Sequence, residues 1–204
     1  MSFYAIILAA GESTRMGSPK ALLKIKDKTF LEHIIQTIHD AGIVRKIVIL
    51  GHGAETIIQS IDSERIQKDF KVKFLINEDY KRGQLSSIQT AIKSLSKDAE
   101  AIMVFPVDRP LISSKLLNQL VLTFNETKSP VVLPIHNVQR GHPVIFSVKV
   151  FDELLRAPYD VGARAVVWAH HNEVKEVPTE EAGILINVDT PEMFEKHIKQ
   201  MNIE

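Results

Sequence analysis

The chain has 204 residues, enough for one α/β domain with a substantial core. Its 25 Lys and Arg balance 25 Asp and Glu, and a zero net charge argues against a protein that tracks a phosphate backbone. It contains no cysteine, which removes disulfides, thiolate nucleophiles, Fe–S clusters and cysteine-bound zinc together. The apolar runs are far shorter than a bilayer span, and the first residues start a strand without the regions of a signal peptide. The expectation is a cytoplasmic protein with neither nucleic acid nor membrane as partner.

In chain order, the first predicted strand is Tyr4–Leu8. It runs into Leu8-Ala9-Ala10-Gly11-Glu-Ser-Thr-Arg15-Met-Gly17-Ser-Pro-Lys20. Glycines here let the backbone turn and bring N–H groups close to phosphate oxygens. Arg15 offers a planar fork of donors and Lys20 a compact ammonium. The loop is not a Walker A motif: five residues separate its glycines, and Ser-Pro intervenes before Lys20. It also lacks the G-x-G-x-x-G of a dinucleotide fold, so the remaining alternatives are a triphosphate cradle and a tight turn with incidental charges.

Phe30–Ala41 places Phe30, Leu31, Ile34, Ile35 and Ile38 on one stripe and predicts a helix. Strand Lys46–Leu50 then enters Gly51-His52-Gly53-Ala54-Glu55-Thr56. Thr56 replaces the third glycine of a dinucleotide motif, so this is an ordinary βα turn, and a nicotinamide enzyme fails on it. Strand Val72–Ile76 leads through Asn77, Gly83, Ser86 and Ser87 into helix Leu85–Leu95. There the serines either cap the helix or meet a ligand at its positive end.

Strand Ala101–Phe105 ends at Asp108-Arg109-Pro110. A carboxylate at this strand end suits Mg²⁺, which takes one or two carboxylates plus substrate phosphates. The plain alternative is an Asx-turn. Helix Leu116–Phe124 and strand Val131–Pro134 follow. A turn at 137–141, a strand Pro143–Phe146, helical stretches Val150–Leu155 and Ala163–His171, and a strand Glu173–Val177 make a different rhythm. Thr190-Pro191 marks the start of a final helix, Pro191–Met201. Asp189 before it is a second metal ligand or a cap. His142, in Gly141-His142-Pro143, is an acid, a base or a turn residue. The alternation of strands and helices implies βαβ units and a largely parallel sheet, with ligands outside the carboxyl ends of the strands. The loops after residues 8, 50, 76, 105 and 187 are expected to converge there.

In this order the motifs resemble the nucleotidyltransferases that mature the molybdenum cofactor, within the sugar-phosphate nucleotidyltransferase superfamily. The likeness runs from Ala5 to about Phe194. It includes Gly141-His142-Pro143 and Gly162-Ala163-Arg164, which point to the molybdopterin cytidylyltransferase branch. It implies a single-domain, Rossmann-like three-layer αβα fold with a mostly parallel sheet and a C-terminal β/α flap. Residues 1–125 would be its nucleotide part and 126–204 its acceptor part. It also implies transfer of a cytidylyl group from CTP to the phosphate of molybdopterin, with Mg²⁺ and release of pyrophosphate. Ala10 favours CTP, because Leu-Ala-Gly-Gly is usual in the guanylyl form. Asn187-Val-Asp189 lies between the two branches' patterns, and Arg109 stands where Met or Gln is common. Catalytic residues would be Arg15, Lys20 and Asp108. The nucleotide would meet Leu8, Ala9, Ala10, Gly11, Gly17, Lys20, Asn77, Gly83, Ser86 and Ser87; the acceptor would meet His142 and Arg164; the metal would meet Asp108 and Asp189. A transient contact with a molybdoenzyme or its chaperone is a further implication. Transfer to a sugar- or alcohol-phosphate and a non-catalytic nucleotide-binding accessory protein are the alternatives.

Overall fold

The computed structural model describes residues 2–199. Strands β1 (Ser2–Ala9), β4 (Arg45–Leu50), β5 (Val72–Ile76) and β6 (Ala99–Pro106) pair in parallel in the order β6-β1-β4-β5. The last third continues the same sheet. Strand β9 (Val144–Ser147) runs antiparallel between β6 and β7 (Val131–His136), and β10 (Lys175–Pro178) lies parallel on the outer side of β7. The short β8 (Gln139–Arg140) folds back on β7, and β2 (Lys24–Ile25) and β3 (Lys28–Thr29) form a separate small hairpin.

Alternation along β1 builds both faces of the sheet. Ala5, Ile7 and Ala9 pack beneath helices α1 (Phe30–Asp40), α2 (Ala54–Ser60), α3 (Ser63–Phe70) and α5 (Ser114–Thr127). Ile6 and Leu8 face α4 (Gln84–Lys93), α6 (Phe151–Arg156) and α7 (Arg164–Ala169). Each fully buried Ile or Leu contributes about 1.5–3 kcal/mol relative to exposure. The stripe predicted for α1 is its buried face, and Thr29 starts that helix with a capping box: Glu32 N–H donates to Thr29 Oγ1, and Thr29 N–H donates to Glu32 Oε2.

Every predicted strand and helix has its counterpart, with boundaries that coincide or shift by a few residues. The small hairpin, β8, α2 and α3 were not foreseen. Helix α3 carries only Ile66 as a buried residue, so its sequence lacks the apolar stripe that reveals a helix. The final helix begins at Pro191 as expected, capped by Thr190, but α8 (Pro191–Phe194) passes into a π-helical turn over Glu195–Lys199. Residues 200 and 201 of the predicted helix lie outside the described residues. No helix among the described residues is long and apolar enough to cross a membrane.

Candidate active site

The carboxyl ends of β1, β4, β5 and β6 are joined to one another by backbone hydrogen bonds between the loops that follow them. His52 N–H donates to Ala10 O (3.1 Å), Asn77 N–H to Leu50 O (2.7 Å), Val107 N–H to Leu8 O (3.0 Å) and Val188 N–H to Asp108 O (2.8 Å). Loops held this way cannot shift independently, and the five expected to converge do so. Gly51 is tightly packed. A Cβ there would lie 2.7 Å from Tyr80 Cβ and 2.9 Å from Ala10 O, so the residues that look like a truncated dinucleotide motif are a packed βα turn between β4 and α2.

The first loop turns through Ser13, whose φ is 53°, and a 3-10 turn over Thr14–Met16 that ends at Gly17 with φ 69°. That left-handed conformation favours glycine. Gly11 has no such φ and no neighbour within 4 Å of a Cβ position, so its backbone is bare toward the cleft. Ser13 Oγ accepts from Lys20 N–H (3.1 Å) and thereby folds the loop back so that Lys20 reaches across.

Lys20 is the centre of the charge cluster. Its Nζ donates to Asp108 Oδ2 (3.0 Å) and to Asp189 Oδ1. Arg15 Nη2 donates to Asp189 Oδ2 (3.0 Å) from a largely exposed position, and Asn187 Nδ2 donates to the same oxygen (2.5 Å). Burial would raise the Asp189 pKa, yet the hydrogen bond and charge of Lys20, with Arg15 and Asn187, hold it below the ordinary carboxylate value. The Asp108 carboxylate takes the Lys20 ammonium, and the helix after Asp189 is capped by Thr190 Oγ1.

A cleft of about 190 Å³ opens beside this cluster, lined by Leu8, Ala9, Ala10, Gly11, Lys20, Gly83, Ser87 and Asp108 from the sequence reading. Ser13, Ile57, Tyr80, Gln84 and Val107 also line it and were not singled out. Tyr80 and Gln84 flank Gly83, a signal that the serines overshadowed. Arg15, Gly17, Asn77, Ser86 and Asp189 do not line the cleft. Asn77 is buried behind it, and its Nδ2 donates to Ser86 Oγ (2.8 Å) and Ser87 Oγ (3.0 Å) while Oδ1 accepts from Asp79 N–H (3.0 Å). Asn77 therefore positions the loop and the start of α4. Asn77→Ala is expected to cost about 1–3 kcal/mol by stranding these partners, read as a lower urea midpoint at unchanged m-value.

A second cavity of about 370 Å³ adjoins the first through Gln84, which lines both. Its walls are Leu85, Ile88, Val104, Val144, Phe146 and Val167, with His142, Tyr159, Asp160 and Arg164 as polar groups. Among the described residues His142 Nδ1 is buried without a hydrogen-bond partner. Burial, reinforced by the nearby Arg109 charge, pushes the His142 pKa down to about 4 from 6.5, so the ring is neutral at pH 7. Arg109 in turn donates to Ile184 O (2.9 Å), the carbonyl that also accepts from His142 N–H (3.2 Å).

A depressed histidine pKa contributes stability above pH 6.5 that is lost as pH falls toward 4, because the unfolded chain takes up a proton the folded chain refuses. The loss should reach about 3 kcal/mol across that window. His142→Leu should flatten this part of the stability–pH curve, measured by urea titration at several pH values.

Among the described residues no group of three or more His, Asp or Glu side chains gathers as metal donors. Asp108 and Asp189, drawn to one ammonium, do fit a hard divalent cation that takes one or two carboxylates and completes its shell with phosphate oxygens. Among the described residues Asn187 Oδ1 is buried and unpartnered, on the side chain whose Nδ2 meets Asp189.

An open, mostly parallel sheet whose loops meet in a charged cleft at the strand ends defines an α/β protein with a candidate ligand site at the position usual for such sheets. The chain belongs to the family described as the MobA-like NTP transferase domain, which it matches over residues 5–177. It is 26% identical over 190 residues to the molybdenum cofactor cytidylyltransferase of Escherichia coli, covering 93% of this chain and 92% of that one. It is 30% identical over 139 residues to the bifunctional protein GlmU of Exiguobacterium sibiricum, covering 67% of this chain but only 29% of that protein. Among solved structures, Rv0371c of Mycobacterium tuberculosis superposes with a TM-score of 0.84 at 24% identity over 98% of both chains. A second structure of Rv0371c is a complex with manganese.

Proposed function

We propose that this protein transfers a cytidylyl group from CTP to the phosphate of molybdopterin, releasing pyrophosphate. The observation that carries the reading is the Lys20–Asp108–Asp189–Arg15 cluster at the rim of a cleft that shares a wall, Gln84, with a second cavity. The E. coli relative, matched over nearly its whole length, supports the cofactor and the base. Ala10, in the cytidylyl form of the first motif, favours CTP.

In this reading an oxygen of the acceptor phosphate attacks the α-phosphorus, the bond to the β-phosphate breaks, and pyrophosphate leaves. The acceptor is already an anion, so no covalent protein nucleophile is needed. Catalysis then rests on alignment and on positive charge where charge develops. The backbone of Leu8–Gly11 and the Ser87 hydroxyl line the site of the nucleotide, and Gly17 shapes its loop. Gly83 opens the facing wall, while Asn77 and Ser86 hold that wall in place. Lys20 and Arg15 would exchange their carboxylate partners for phosphate oxygens. Asp108 and Asp189 would hold Mg²⁺, which supplies Lewis-acid charge on the phosphates when bound. The manganese complex of Rv0371c supports a divalent ion in this fold. His142 and Arg164, with the apolar walls around them, would hold the acceptor. Residues 1–125 would thus supply most of the nucleotide site and 126–204 most of the acceptor site. Its substrates would be small molecules, with transient delivery of product to a molybdoenzyme or its chaperone.

Titration calorimetry with each Mg²⁺ nucleotide tests the first half of this reading. CTP should bind at least tenfold more tightly than GTP, about 1.4 kcal/mol. Equal affinities would remove the assignment of the base.

A further inference from the structure

We propose that Arg82 and Tyr159 form a clasp that couples the two cavities, so that nucleotide in the first orders the rim of the second. The proposal rests on the reading above, in which the cavities hold nucleotide and acceptor. Arg82 ends the 3-10 turn Tyr80–Arg82, between Tyr80 and Gly83, both of which line the nucleotide cleft. Its guanidinium lies 4.0 Å from the centroid of the Tyr159 ring, and Tyr159 lines the second cavity. Among the described residues that ring is the only partner found for the guanidinium.

Tyr159 is anchored at its far end. Its hydroxyl donates to Gln89 Oε1 (2.7 Å), and the buried Gln89 donates through Nε2 to Leu154 O (3.0 Å) and Leu155 O (3.2 Å) at the end of α6. The ring is therefore tied to α4 and α6, while the cation stacked on it belongs to the cleft loop. The segment around Tyr159 is exposed and held locally by Gly162 N–H to Pro158 O (2.9 Å) and Ala165 N–H to Gly162 O (3.1 Å). A phosphate-bearing ligand that settles the Tyr80–Gly83 turn fixes Arg82, and a fixed Arg82 holds the ring and the loop behind it. A cation–π contact suits this part because it persists at an exposed site without a buried charge. Arg82 and Tyr159 are positioning residues here; neither need touch a reacting atom. By linkage, the acceptor then strengthens nucleotide binding by the same factor.

Hydrogen exchange with Mg²⁺·CTP as the probe tests the clasp without any acceptor, and Trp168, the single tryptophan of the chain, on α7, gives a parallel fluorescence signal. In the wild type, nucleotide should slow exchange at Gly162 and Ala165 by at least about fivefold, the low end of ordinary coupling between sites. In Arg82→Met the slowing should disappear and the Trp168 response with it, while calorimetry gives the same CTP affinity within about twofold. Tyr159→Phe keeps the ring and should keep most of the effect; Tyr159→Leu should lose it. Equal protection in wild type and Arg82→Met overturns the clasp while the nucleotide assignment stands. A large loss of CTP affinity in Arg82→Met also overturns it, because Arg82 would then be a direct phosphate ligand. Absence of calorimetric binding for every nucleotide overturns the functional reading itself and the clasp with it.

Discussion

Lys20→Ala is expected to lower the rate of pyrophosphate release by about a hundred- to a thousandfold, the loss seen when one preorganised electrostatic group is removed. The same substitution should make the free protein bind Mn²⁺ more tightly. Both effects follow from where the ammonium sits. Lys20 Nζ occupies the space between Asp108 and Asp189, so a divalent ion entering without nucleotide must displace it. Once phosphates are present, they give the displaced ammonium a new partner. Lys20 therefore opposes the metal alone and favours the metal with nucleotide. Removing it should raise the affinity for Mn²⁺ alone by about tenfold, worth about 1.4 kcal/mol, and weaken the ternary complex. Two carboxylates left without their ammonium should cost about 1–3 kcal/mol of stability, which the fold survives. Manganese titration by electron paramagnetic resonance, with and without CTP, reads both signs. Tighter metal binding in one case and slower turnover in the other cannot both come from a misfolded loop.

The largest loss of stability is expected from Gly183→Ala. A Cβ at Gly183 would overlap the Leu111 carbonyl oxygen and stand 2.8 Å from its carbon. These are backbone atoms, so no side chain can turn aside to relieve the clash. The 3-10 turn Ala182–Leu185 must move as a whole, and it carries the fully buried Ile184. The Ile184 carbonyl accepts from both Arg109 and His142 N–H, so the displacement also reaches the second cavity. Overpacking of a core against rigid neighbours costs more than 4 kcal/mol only in exceptional cases, and this contact is of that kind, at about 4 kcal/mol or more. Thermal unfolding should show a fall in Tm of about 8–16 °C, and the Trp168 environment should change even where the protein remains folded. An alanine tolerated with little change in Tm would mean that the turn packs more loosely than its geometry indicates.

Much of the fold is legible in the chain because periodicity and burial coincide. The stripe of α1 and the short β-rich runs are what a two-faced parallel sheet requires. Helices α2 and α3 escaped because their few apolar positions, Ile57 and Ile66 chief among them, do not make a stripe. The hairpin β2–β3 has only two residues in each strand, too few for an alternating pattern. The charged residues of the site were visible as motifs, since glycine, arginine and lysine at fixed offsets carry their chemistry in their identities. Their mutual arrangement was not visible. Nothing in the spacing of Lys20 from Asp108 and Asp189 reveals that one ammonium bridges both carboxylates; it emerges only when Ser13 folds the loop back and Val188 binds to the Asp108 carbonyl. Tyr80, Gln84 and Arg82 went unnoticed for a similar reason. They are ordinary polar residues whose place shows only in the fold: Tyr80 and Gln84 line the first cavity, Gln84 also the second, and Arg82 stacks on Tyr159.

The nucleotidyl-transfer assignment is tested most directly by pyrophosphate release with CTP, GTP, UTP and ATP, each with and without molybdopterin. A panel of sugar- and alcohol-phosphates forms the comparison arm. The expected result is release that requires both CTP and molybdopterin, with GTP slower by about tenfold or more, a difference of about 1.4 kcal/mol in transition-state binding. Release with a sugar- or alcohol-phosphate but not with molybdopterin would contradict the acceptor, and equal rates with GTP would contradict the base. No release under any combination, from protein that still binds CTP, would contradict catalysis itself and leave a nucleotide-binding accessory protein in its place.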